Sequence, residues 1–280
     1  MENFFSFLER RVDDSSSLLC VGLDPHKADL DVNSADGALR FCLNLVKKTA
    51  PYTAAFKPNA AFFEQFGAAG WQALREVILA VGEQSDRMGS RVLVVLDAKR
   101  GDISSTAEAY ALAAFEGLGA DCITLNPYLG KDSIDPFIGN PEKGVFLLCK
   151  TSNPGSADLQ DLPLAGGELL YEHVARLAGQ WNTNGNIGLV AGATQPQAIE
   201  RIRKVNPQAW LLAPGVGAQG GDLALALRAG LRPDGKGVLL PVSRAISRAQ
   251  DAGLAAAKLR DTVAEASREI LRNGRSSNIG

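Results

Sequence analysis

The sequence predicts an α/β protein of the (β/α)8 TIM barrel class, folded as a single domain. Eight short runs rich in β-formers recur along the chain, separated by stretches with apolar residues at helical spacing. Strands alternating with helices imply a parallel sheet. The runs are apolar throughout rather than alternating, as expected of strands covered on both faces. Eight such units in 280 residues match the closed barrel. A doubly wound open sheet is the alternative from pattern alone. Against it, "VGLDP" after the first run is no glycine-rich dinucleotide fingerprint.

In order, the runs are "LLCVGLD" (18–24), "TAAFKPN" (53–59), "RVLVVLDAK" (91–99), "DCITLNP" (121–127), "GVFLLCKT" (144–151), "NIGLVAG" (186–192), "AWLLAPG" (209–215) and "GVLLPVS" (237–243). Between them lie amphipathic stretches such as "ADGALRFCLNLVKKTA", "GWQALREVILAVGEQSDRMG", "ISSTAEAYALAAFEGLG" and "QPQAIERIRKVNP". The segment 152–185 is long; its first half reads as a loop and its second half as a helix. No low-complexity linker divides the chain, so residues 1–280 are expected to form one domain, with a tail frayed from about residue 274.

Composition narrows the function classes. Net charge is −2 with no long basic run, which argues against a nucleic-acid partner. The N-terminus "MENFFSFLERRVDD" lacks the apolar core of a signal peptide. No apolar run reaches the roughly 18 residues of a membrane span. A cytoplasmic protein with no membrane partner is expected. Cys20, Cys42, Cys122 and Cys149 show no CxxC spacing and read as small buried hydrophobes. With only His26 and His173, a histidine-rich metal site is excluded.

In a barrel, active-site groups stand at the C-terminal ends of the strands. Here those ends carry Asp24; Lys57, Pro58 and Asn59; Asp97 and Lys99, followed by Asp102; Lys150, Thr151 and Ser152; "PGVGAQGGD"; and Ser243 with Arg244. Asp97 and Lys99 are two apart, so on a regular strand both face one way, above Val95 and Leu93. They are expected to top the barrel interior, joined by Lys57 from the next strand. Asp102 lies past its strand and need not point into its own barrel. Local sequence also allows it as the N-cap of a helix starting near Ser104.

A structural salt-bridge cluster at the barrel mouth is the plain alternative. Buried ion pairs do not generally stabilise more than apolar packing, so several at one rim favour function. The glycine-rich turn and Arg244 suit a phosphate. Glycine lets backbone N–H groups approach the anion, and a guanidinium clamps it bidentately. A plain turn beside a surface arginine is the competing reading.

"LDAKRGDI" resembles the Asp-x-Lys-x-x-Asp signature of orotidine 5′-phosphate decarboxylase. "VGLDP", "FKPNAAFFE", "TSNPGS", "PGVGAQGGD" and "SRAI" follow in the order of the other active-site segments of its longer bacterial subgroup. The resemblance runs from about residue 18 to 247. It implies a homodimer of barrels that decarboxylates orotidine 5′-monophosphate to UMP in de novo pyrimidine biosynthesis, with no metal and no cofactor. It implies that Lys57, Asp97, Lys99 and Asp102 form an alternating Lys/Asp array, and that Asp102 and Thr106 complete the partner's site. Asp24 matches the ribose-binding aspartate, Ser152 the serine at the pyrimidine, and Gln219 with Arg244 the phosphate-binding pair. The mechanism it suggests is a C6 vinyl carbanion stabilised and then protonated by Lys99.

The nearest rival is a metal-dependent sugar-phosphate decarboxylase of the same superfamily, such as the keto-gulonate phosphate decarboxylases. Those resemble a site with an acidic metal ligand on strand two, where this sequence has Lys57. A Schiff-base aldolase needs a neutral lysine, and Asp97 beside Lys99 favours the charged form. A barrel without catalysis, serving only to bind, is the reading from a different class.

Overall fold

The computed structural model describes residues 2–216 and 222–276. Eight parallel strands close into a barrel in sequence order. They are β1 (Leu19–Leu23), β2 (Ala55–Pro58), β3 (Leu93–Arg100), β4 (Cys122–Leu125), β5 (Gly144–Lys150), β6 (Ile187–Ala191), β7 (Leu211–Leu212) and β8 (Val238–Val242). β8 returns to β1 in parallel, with Leu19 opposite Leu240. The open-sheet alternative is thereby excluded. The outer layer includes the helices Ala35–Thr49, Gly67–Met88, Leu170–Trp181, Pro196–Val205 and Ala252–Ser276.

Side-chain alternation divides the core in two. Val94, Leu96, Ile123, Val145 and Leu147 point outward and pack under the helices. Cys20, Ala55, Leu93, Val95, Cys122 and Phe146 point inward and fill the barrel. Each inward row then continues toward the C-terminal ends of the strands. Cys20 leads to Gly22 and Asp24, Ala55 to Lys57, Val95 to Asp97, and Cys122 to Thr124. The apolar floor and the polar mouth are one set of rows. All four cysteines are free and buried, and burial pushes the Cys20 thiol up to about 12.

The N-terminal end of the barrel is closed by α1 (Phe4–Ser15), a helix that the strand-and-helix pattern does not anticipate. Asn3 caps it by accepting from the Ser6 N–H. Phe4, Phe5, Leu8 and Val12 are buried against the barrel floor. Phe5 stacks on Trp210 at 6.0 Å and meets Phe146 edge-on at 5.7 Å. Gly144 must be glycine, because a Cβ there would stand 2.3 Å from the Phe4 ring.

Candidate active site

The inward rows end in a cavity of about 630 Å3. Asp24, Lys57, Asp97, Lys99, Ser152 and Arg244 all line it. Six of the nine residues singled out from sequence thus meet in one place. Asp97 is the hub. One carboxylate oxygen accepts from Lys57 Nζ at 2.9 Å, and the other from Lys99 Nζ at 2.6 Å. Burial pushes the Asp97 carboxyl up, but Lys57 and Lys99 together outweigh it and hold the acid well below the usual carboxylate range. Burial likewise pushes the Lys57 ammonium down. Asp97, with Asp24 further off, outweighs it and leaves Lys57 raised. The pair is therefore fully ionised at neutral pH. Lys99 differs from Lys57 in exposure: its side chain is 49% exposed, against 10% for Lys57. Of the two lysines on Asp97, it is the one more open to a bound molecule.

The backbone beneath Lys99 corrects the expectation of a regular strand. β3 pairs with β4 as far as Leu96 opposite Ile123, and pairing resumes with Arg100 opposite Leu125. Asp97, Ala98 and Lys99 therefore face a single β4 residue, Thr124. Lys99 takes the left-handed conformation, with φ 48°. For a residue other than glycine this costs roughly 1–2 kcal/mol. Strand alternation alone does not place Lys99 beside Asp97.

Thr124 was not legible as a site residue. It is 1% exposed. Its hydroxyl donates to Asp97 at 3.0 Å and accepts from the Ala98 and Lys99 N–H groups at 3.1 and 2.9 Å. A threonine inside an apolar run carries no charge pattern to mark it. Gln160 also lines the cavity without a sequence signal, and Phe62 lines it from within the segment "FKPNAAFFE". His26 lies at the cavity, edge-on to Phe62 at 4.5 Å.

Asp24 reaches the cavity from the end of β1, and its Oδ1 is a buried oxygen with no hydrogen-bond partner among the described residues. Ser152 stands on the loop after β5, and Arg244 opens the short helix Arg244–Ser247 after β8. The loop after β5 is tied down at its base by Lys150, a residue given no role from sequence. Lys150 is 3% exposed and pairs with Asp161 at 2.8 Å and Ser156 at 3.2 Å. Thr151 and Gln160 bond across the same loop. Gln219 lies outside the described residues.

Asp102 and Thr106 do not line this cavity. Asp102 accepts from the N–H of Ile103 at 2.8 Å. The following helix, Ser104–Leu112, is capped at Ile103 with no side-chain bond, so Asp102 is not its N-cap. Thr106 is exposed on the first turn of that helix. Two left-handed residues other than glycine, Lys99 and Ser104, bracket the turn that carries Asp102.

A family model described as "Orotidine 5'-phosphate decarboxylase / HUMPS family" matches residues 17–259. The chain belongs to this family. Among curated members it is similar to the orotidine 5'-phosphate decarboxylase of Roseiflexus castenholzii, at 47% identity over 96% of this chain and all of the relative. It is similar to the solved OMP decarboxylase of Leishmania donovani, with a TM-score of 0.85 and 49% identity, covering 95% of this chain and 99% of that one. The UMP synthase of the same organism superposes with a TM-score of 0.87 at 51% identity over 95% of this chain, which spans 57% of that longer chain. As a member of the family, the chain sets its Asp-x-Lys-x-x-Asp motif at the break in β3 pairing, with two motif residues lining the cavity and the third outside its lining.

Proposed function

We propose that the chain decarboxylates orotidine 5′-monophosphate to UMP and CO2, a step of pyrimidine biosynthesis. The observation that carries this is the ionised Lys57–Asp97–Lys99 chain at the mouth of a cavity whose other polar groups suit a nucleotide. Asp24 takes the ribose hydroxyls, Ser152 the pyrimidine, and Arg244 with Gln219 the phosphate.

The C6 carboxylate is set near Asp97 and Lys99. Breaking the C6–CO2 bond leaves its electron pair on C6 as a vinyl carbanion. The Lys99 ammonium stands as a fixed positive charge beside that anion, in a site where charges are less screened than in water. It then transfers a proton from Nζ to C6, and solvent reprotonates the amine. Asp97 orients Lys99, and Lys57 balances the Asp97 charge. Phosphate binding, remote from C6, contributes energy that holds the reacting atoms in line.

The site as proposed is shared between two copies. Asp102 and Thr106 do not line their own cavity and would complete the partner's. Ile103, Leu112, Tyr128 and Leu129 are exposed apolar residues on and around the same helix, which supports a homodimer through this face. We also read the chain as one domain, working in the cytoplasm without metal or cofactor. Four unpaired cysteines accord with a reducing compartment. Among the described residues, no helix is long and apolar enough to cross a membrane.

The test is the ultraviolet absorbance of orotidine 5′-monophosphate mixed with purified, EDTA-treated protein. Loss of the substrate band with formation of UMP is expected. Absence of turnover by folded protein would overturn the reading. Turnover restored only by Mg2+ would overturn the metal-independent part of the reading.

A further inference from the structure

Where β3 and β4 fall out of register, two amides of β3 lose their ladder acceptor. Between Leu96 and Arg100 three β3 residues oppose one β4 residue. The N–H groups of Ala98 and Lys99 both turn to the Thr124 hydroxyl, at 3.1 and 2.9 Å. A hydroxyl has one proton and two lone pairs. Thr124 uses all three, because its proton goes to Asp97 Oδ1 at 3.0 Å. The same carboxylate oxygen accepts from Lys99 Nζ. One buried hydroxyl therefore fixes the backbone of Lys99 at its N–H and the side-chain anchor of Lys99 at Asp97.

That arrangement runs against the backbone's own preference. Lys99 sits at φ 48°, a conformation lysine rarely adopts and one that persists only where neighbours over-determine it. β4 ends at Leu125, one residue past Thr124. Leu125 pairs with Arg100 and so resumes the ladder. The single-residue gap in between is bridged by a side chain in place of a carbonyl.

We propose that Thr124 is a positioning residue for the decarboxylation, holding Lys99 in its left-handed conformation so that Nζ is aimed at the reacting carbon. This rests on the functional reading above. A valine at 124 keeps the shape and removes the hydroxyl. Serine keeps the hydroxyl and all three hydrogen bonds.

The experiment compares wild type, Thr124→Val and Thr124→Ser in steady-state turnover of orotidine 5′-monophosphate, with thermal melts and crystal structures of each. Thr124→Val is expected to lose about a hundredfold in kcat, the scale of a misplacement of about 1 Å at a reacting group. Its KM is expected to stay within about threefold, since the ribose and phosphate contacts are elsewhere. Thr124→Ser is expected to recover most of kcat. A merely structural role would lower the melting temperature and leave kcat of the folded fraction unchanged. That result, or equal kcat loss in both variants, would overturn the proposal. If Thr124→Val does not fold, Thr124→Ala replaces it, compared with serine in the same way. If wild type itself has no turnover, the functional reading fails, and the crystal structures still decide the geometry. Lys99 leaving φ near 48° in the valine variant and keeping it in the serine variant supports the positioning; an unchanged Lys99 in the valine variant overturns it.

Discussion

Asp97 joins the two lysines of the cavity. It is the hydrogen-bonding partner of a nearly buried ammonium, Lys57. Removing it in Asp97→Ala leaves that charge without its acceptor, and losses of this kind cost about 3–5 kcal/mol. A second change, Lys57→Met, should restore most of the loss, because the orphaned charge is then gone. The pH dependence follows from the directions of the two shifts. Asp97 is held below its unfolded value, so its contribution is fully present above about pH 4 and is lost as pH falls through the depressed folded value. Lys57 is raised, so its contribution is present below about pH 10.4 and is lost as pH rises through the raised folded value. The stability gap between wild type and Asp97→Ala should be widest near neutrality and narrow in acid. Thermal melts of both proteins across acid and neutral buffers check this, and a gap that widened in acid would contradict the pairing.

At the scale of the element, α1 acts as the floor of the barrel. Phe5→Ala removes a ring stacked on Trp210 and edge-on to Phe146. Such truncations typically cost about 3–5 kcal/mol. Urea denaturation should show that loss, while KM stays unchanged, because the substrate cavity opens at the other end of the strands. This helix also marks a limit of what the sequence reveals. The eight strands are legible because each is a continuous apolar run between helical stretches. "FFSFLERRVDD" shows apolar spacing but not its partner, since Gly144, Phe146 and Trp210 are distant in sequence and meet only when the barrel closes. The site divides the same way. Lys57, Asp97, Lys99 and Arg244 are charges at the ends of apolar runs, which alternation projects to one rim. Thr124 and the left-handed Lys99 depend on the register between neighbouring strands, and a single chain of letters does not carry register. Lys150 is an intermediate case. Its charge is visible, but its partner Asp161 becomes evident only once the loop after β5 folds back.

At the scale of the whole molecule, the third motif residue parts from the other two. Asp102 and Lys99 belong to one short motif, yet the turn between the left-handed residues Lys99 and Ser104 sends them to different places. Lys99 joins the cavity and Asp102 does not. In the proposed two-fold dimer the contact would be mutual, so each copy would both lend and borrow an Asp102. The geometry makes an arithmetic prediction. Lys99→Ala and Asp102→Ala should each be nearly inactive alone, because every site in either homodimer lacks one group. A mixed dimer has one site missing both groups and one site missing neither. Random exchange of equal amounts places about half of the molecules in mixed dimers, each with one intact site of two, so activity should return to about a quarter of wild type. Unfolding and refolding the mixture, with native mass spectrometry to count mixed dimers, provides the measurement. If mixed dimers form and activity does not return, Asp102 acts within its own subunit, and the turn after β3 must open to bring it there.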